Sequence, residues 1–100
     1  MVFRLLNKYS VLIEGRNLLM DLQGVQRFGF FTTRYVKAAN LEGASQHAVD
    51  LAREELRLAG MILNEPGDNP IFTVSEALRI DTFNGVDVPG TGFTFYPMGS

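Results

Sequence analysis

The run VQRFGFFTTRYVKA, Val25 to Ala38, restricts the fold more than any other part of the chain. It is dominated by Phe, Tyr, Thr and Val, the residues that suit a pleated, half-buried surface, so it is expected as a strand. Fourteen residues exceed the usual strand length, so a bend is expected, with Gly29 as its place. Alternation sorts its side chains onto two faces. Phe28, Phe30 and Val36 share one face with Thr32 and Arg34, while Arg27, Phe31, Thr33, Tyr35 and Lys37 share the other.

The rest of the chain is organised around this strand. Tyr9, Val11 and Ile13 alternate with Ser10, Leu12 and Glu14, which predicts a first strand over Phe3 to Glu14. Gly15, Arg16 and Asn17 interrupt it, and Leu18 to Leu22 resumes as either a second strand or a bulged continuation. Gln23 and Gly24 then suit a tight hairpin turn. After the long strand, Asn40 can cap a helix and Glu42 favours its positive end. Ala44, Ala48, Val49, Ala52, Leu56, Ala59 and Leu63 recur at helical spacing, which predicts a helix over Leu41 to Ala59 capped by Gly60, or one ending a turn later, since the apolar pattern continues through Met61 to Asn64. Asn64 to Pro70 is a connector with two prolines, and IFTVSEALRID reads as a strand. There Phe72, Val74, Leu78 and Ile80 are expected on one face, and Glu76 among them requires either a bulge or a partner. Gly85 to Gly92 reads as a loop, Phe93 to Tyr96 as a short strand, and residues 97–100 as a frayed tail.

The expectation is one compact α+β domain over residues 1–100. Its mostly antiparallel sheet of four to five strands carries one long helix on one face, in the order β-β-β-α-β-β. One hundred residues suffice for a core without staples, and no cysteine is present for a disulfide, a thiol nucleophile or a thiolate metal site. No apolar run approaches a membrane span, and the N-terminus lacks the cationic-then-apolar pattern of a secretory signal. No membrane association and a cytoplasmic location are therefore expected.

Phe28, Gly29, Phe30 and Phe31 resemble the middle of the aromatic strand on which RNA-recognition domains stack bases. Gln26, Arg27 and Thr33 stand where that motif has a basic residue, a glycine and an aromatic, and no helix precedes the strand. A net charge of −2 with only two lysines also gives no broad attraction for phosphate backbones, so nucleic acid is disfavoured as a partner. The glycine-rich segment around Pro89 to Gly92 lacks the Lys-Ser/Thr pair or following helix of a phosphate loop. His47, Asp50 and Glu54 lie on one helix flank, a spacing that permits a metal but equally describes a solvated surface. With one histidine and no nucleophile elbow, no catalytic residue, metal ligand or cofactor is assigned, and a non-enzymatic role is favoured. Glu55 points between apolar positions of the helix and requires either a partner, for which Arg34 and Arg79 are the candidates, or a place at a subunit boundary.

One helix cannot cover both faces of such a sheet, so Phe31 and Tyr35 would stay exposed in a monomer. A homodimer is therefore expected, with Arg27, Phe31, Tyr35 and Lys37 as its binding face. The strand followed by LEGASQHAVDLAREEL also resembles the arrangement in small antitoxins of the HicB type, a likeness that transfers no residue or activity. The leading reading is a small protein-interaction or regulatory module that binds itself or another protein, with its contacts on the sheet face and the Gly85 to Gly92 loop. The alternatives are a single-stranded nucleic-acid-binding protein using strand 27–37 and a metal-dependent or ligand-binding enzyme.

Overall fold

A computed structural model describes residues 6–99. The elements are β1 (Asn7–Asp21), β2 (Val25–Ala38), α1 (Leu41–Ala59), β3 (Ile71–Ile80) and β4 (Thr94–Pro97). The sheet is antiparallel with spatial order β3-β1-β2-β4, and α1 packs on one face. The α+β expectation is met with four strands, because the two strand-like runs before Gln23 form one strand. At about 3.3 Å per residue, fifteen residues of β1 reach roughly 50 Å. That accounts for the longest molecular dimension, 53 Å. The expected start of the first strand at Phe3 lies outside the described residues.

The bend expected at Gly29 is made on the opposite strand. Gly15 pairs with Phe30 and Leu18 with Phe28, so Arg16 and Asn17 bulge across from Gly29. Asn17 sits at φ 61°, a left-handed conformation that asparagine tolerates better than most residues. The bulge shifts the inward positions of β1 from odd to even. Tyr9, Val11 and Ile13 are buried before it, and Leu18 and Met20 after it. The hairpin turn is one residue longer than a two-residue turn, running through Leu22, Gln23 and Gly24, with Asp21 Oδ1 accepting from Gly24 N.

The helix-side face carries Tyr9, Val11, Ile13, Phe28, Phe30, Thr32, Arg34 and Val36, all buried. Large side chains from the sheet leave room for little more than methyl groups on the helix. Ala44, Ala48 and Ala52 supply them at four-residue spacing, and Leu56 completes the stripe. Asn40 caps the helix by accepting from Gly43 N at 2.8 Å, and Gly60 ends it in the left-handed conformation.

In β3 the bulge alternative holds. Leu12 pairs with Glu76 and Ile13 with Val74, so Ser75 is the extra residue. Phe72, Val74 and Ala77 consequently pack against the core, while Leu78 and Ile80 turn to the opposite face with Glu76. The expectation of Phe72, Val74, Leu78 and Ile80 on one face is thereby corrected, because one inserted residue reverses every side chain after it.

Two strand glycines leave space for aromatic rings on opposite faces. A side chain at Gly15 would collide with the Phe30 ring on the helix side, and one at Gly29 would collide with Tyr96 on the other. Phe30 is the centre of the aromatic cluster, with edge-on neighbours Phe72, Phe93 and Phe95 at 5.7, 4.9 and 6.3 Å between ring centres. Gly29→Ala should therefore cost about 1–3 kcal/mol by overpacking, and most of that cost should vanish in a Tyr96→Ala background. Denaturant midpoints of the two single variants and the double variant check this, and additive effects would show that the ring and the glycine are not coupled.

Candidate functional site: the open sheet face and its edges

The face opposite α1 is built in rows across three strands. The register sets Thr73, Glu14 and Phe31 in one row, then Glu76, Leu12 and Thr33, then Leu78, Ser10 and Tyr35, then Ile80, Lys8 and Lys37. Leu78 is 52% exposed and Phe31 41%. The apolar middle of this face is thus bounded by Lys8 and Lys37 at one end, with Glu14 and Glu76 further along it.

Of the four residues expected to form a binding face, Phe31, Tyr35 and Lys37 stand in these rows, and Phe31 and Tyr35 each lie beside an aromatic from later in the chain. Phe31 lies 5.6 Å from the Tyr96 ring, and Tyr35 meets Phe83 edge-on at 6.4 Å. Lys8 approaches the same Phe83 ring at 6.0 Å, and Lys37 is exposed. Arg27 lies beyond the bulge and is engaged elsewhere, donating to Asn17 Oδ1 and Asp68 Oδ2, both at 2.8 Å. Phe83 and Tyr96 were not identified from sequence as part of this face, since nothing local to either tells which ring of β2 it will meet.

Tyr96 donates from its hydroxyl to Glu14 Oε1 at 3.2 Å. Desolvation of the phenol, followed by the adjacent Glu14 carboxylate, raises its pKa above the ordinary tyrosine value. This contact fixes the Tyr96 ring over Gly29.

The backbone edges of the sheet differ in how far they are closed. β4 covers β2 from Phe28 to Phe31, and the loop before β4 continues the cover. Thr32 Oγ1 donates to Gly92 O at 2.7 Å, and Tyr35 N to Pro89 O at 2.8 Å. Where β3 stops alongside β1, the connector takes over. Leu63 N donates to Leu19 O, and Asn64 Oδ1 accepts from Leu19 N, both at 2.8 Å. The outer edge of β4 is four residues long and ends at Pro97. The outer edge of β3 offers ten residues, and no other segment among the described residues pairs with it.

Arg34 is the one charged side chain buried among the described residues, at 1% exposure. The partner for Glu55 is this arginine. Arg34 Nη1 donates to Glu55 Oε1 at 2.9 Å and to Gly90 O, while Nη2 donates to Gly92 O at 3.0 Å. The other carboxylate oxygen accepts from Gly92 N at 2.9 Å. Phe93 covers the guanidinium at 5.1 Å, and Nε is left without a hydrogen-bond partner. This arrangement locks the glycine-rich segment between helix and sheet. The carbonyls of Gly90 and Gly92 are used internally, in keeping with the connector reading of that loop.

On the helix flank, Asp50 accepts from Gln46, and Glu54 pairs with Arg57. Among the described residues no group of three or more histidine and carboxylate side chains is arranged to hold a metal ion. Phe28 and Phe30 are buried, so of the aromatics in the RNA-like segment only Phe31 is exposed on the open face. Comparison with protein-family models, curated proteins and solved structures returned no match.

Two predictions follow from these networks. Glu55→Gln should lower stability by about 2 kcal/mol, below the usual cost of breaking a buried pair because Glu55 is one-third exposed. Glu54→Gln, on a solvated pair, should leave the denaturant midpoint where it is. Equal midpoints for both variants would remove the structural role given to Arg34 and Glu55.

Asp68 supplies a pH dependence. The Asn17 amide, then Arg27, hold its carboxyl below the ordinary aspartate value. Because the folded pKa is depressed, the stabilisation is present above the unfolded value of about 3.9 and is lost as pH falls through the folded pKa. The stability advantage of the parent protein over Asp68→Asn should be full at pH 6 and should shrink below about pH 4. Urea denaturation of both proteins across that range measures it.

Proposed function

We propose that this chain is a small non-enzymatic protein-interaction module that works as a homodimer through its open sheet face. The observation that supports the reading is the composition of that face. Phe31, Leu78 and the half-buried Leu12 provide its apolar surface, with Lys8 and Lys37 at one end, Glu14 beside Phe31 at the other, and Glu76 next to Leu12 between them. A two-fold axis lying in this face and running across the strands brings the lysine end of one copy to the glutamate side of the other while the apolar surfaces meet. Aromatic residues at the centre of a contact contribute most of its energy, which gives Phe31 and Tyr35 the leading part. Arg27 belongs at the rim, since its guanidinium already serves Asp68 and Asn17.

The open outer edge of β3 supports the same reading from the backbone. An uncovered strand offers N–H and C=O groups that a second chain can satisfy. Beside Phe31 and Thr33 the surface is formed by strand residues together with Thr91, Gly92 and Phe93 of the segment before β4.

Sedimentation velocity at micromolar concentration tests the proposal. The parent protein is expected to sediment as a dimer, and Phe31→Ser with Tyr35→Ser should shift it to monomer while far-ultraviolet dichroism keeps its α+β form. A parent protein that is monomeric throughout, or a double variant that remains dimeric, would reject this surface.

A further inference from the structure

A concavity lies on the helix side of the sheet, away from the proposed dimer face. It is a cleft of about 730 Å³ between the C-terminal half of α1, the connector and the start of β3. Leu56, Ile62 and Phe72 provide apolar surface, and Pro66 and Pro70 add to its wall. Its size and apolar character fall within the ordinary range of small-molecule sites.

The connector wall is held in place before any ligand arrives. Asn64 Nδ2 donates to Asn17 O at 2.9 Å and to Asp68 O at 2.8 Å, and Asn17 Nδ2 reaches Asp68 Oδ1 at 3.0 Å. Asp68 N closes a turn on Glu65 O at 3.0 Å. A wall tied at both ends and containing two prolines loses little freedom on binding.

Charge in the cleft points to one kind of occupant. Arg53 places its guanidinium 4.8 Å from the centre of the Phe72 ring. Among the described residues it forms no ion pair, whereas neighbouring Arg57 is occupied by Glu54. A guanidinium lying on an aromatic ring above an apolar floor can receive a carboxylate while the floor receives a flat hydrocarbon body. Glu65 also borders the cleft and opposes a second negative charge. We infer that this cleft binds a small aromatic monocarboxylate, with the carboxylate on Arg53 and the ring system against Leu56, Ile62 and Phe72.

Titration of the full chain with 2-naphthoate, followed by amide chemical shifts, tests the inference, with neutral 2-naphthamide as the matched control. Saturable shifts are expected around Arg53, Ile62 and Phe72 with a dissociation constant below about 1 mM. The amide and the Arg53→Gln variant should each bind roughly tenfold more weakly through loss of the charge-assisted contact. Glu65→Gln should bind two- to threefold more tightly, roughly the effect of removing one exposed like charge. No saturable shift by about 5 mM, equal binding of acid and amide, or unchanged binding by Arg53→Gln would each overturn the inference. Shifts confined to the open sheet face would do the same. The acid and amide are compared on the parent protein, so the result does not depend on the variant's stability, and a monomeric parent protein would leave it untouched.

Discussion

A guanidinium placed under a helix is the constraint around which much of this molecule is arranged. Arg34 points inward from β2 at a position where alternation would otherwise bring an apolar side chain. A buried charge is tolerable only when compensated by charge and hydrogen bonds together, and two segments provide them. The helix contributes Glu55, and the segment before β4 contributes the carbonyls of Gly90 and Gly92. The same carboxylate then holds Gly92 N, so helix, sheet and loop meet at one point. That point adds to the Tyr35–Pro89 and Thr32–Gly92 contacts in holding the segment before β4 along the edge of β2.

The long hairpin is made possible by a different device. Strands of fourteen and fifteen residues must twist and bend, and here a bulge at Arg16 and Asn17 provides the irregularity. Bulges leave backbone groups unpaired and expose the chain beyond them. The connector answers this, with Asn64 bridging Leu19 and Asn17 and with Asp68 joining Asn17 to Arg27. The cleft beside Arg53 is a by-product of the same arrangement, since holding the connector against the end of β1 leaves a gap between it and α1.

Much of the architecture was legible where a pattern is local. The helix bounds, the Asn40 cap and the Gly60 terminus follow from spacing and from single-residue chemistry. The two faces of β2 follow from alternation, and Glu55 advertised its need for a partner by standing between apolar positions. Long-range facts carried no such signal. Whether Leu18 to Leu22 continued β1 depended on β2 accepting a bulge opposite Gly29, and the register of β3 depended on Ser75 being skipped by β1. Which rings would occupy the space above Gly15 and Gly29 depended on chain segments far away in sequence. The engagement of Arg27 was hidden for the same reason, because its partners Asn17 and Asp68 lie on a bulge and in a connector.

The bulge in β3 also bears on how a second chain could use that edge. Ser75 divides the strand into Ile71 to Val74 and Glu76 to Ile80, each paired with β1 in its own register. A regular strand added outside β3 can continue the hydrogen bonding of one run, but meets the other displaced by a residue. An edge interrupted in this way resists indiscriminate pairing, as do the charged Glu76 and Arg79 upon it. It nevertheless leaves a five-residue run that places Leu78 and Ile80 on the open face, beside Ser10 and Lys8. A partner fitted to that run would engage the backbone edge and the apolar face together, whereas a generic extended segment gains only part of the edge. Selectivity towards such a partner would therefore arise from the same inserted residue that turned Leu78 out of the core.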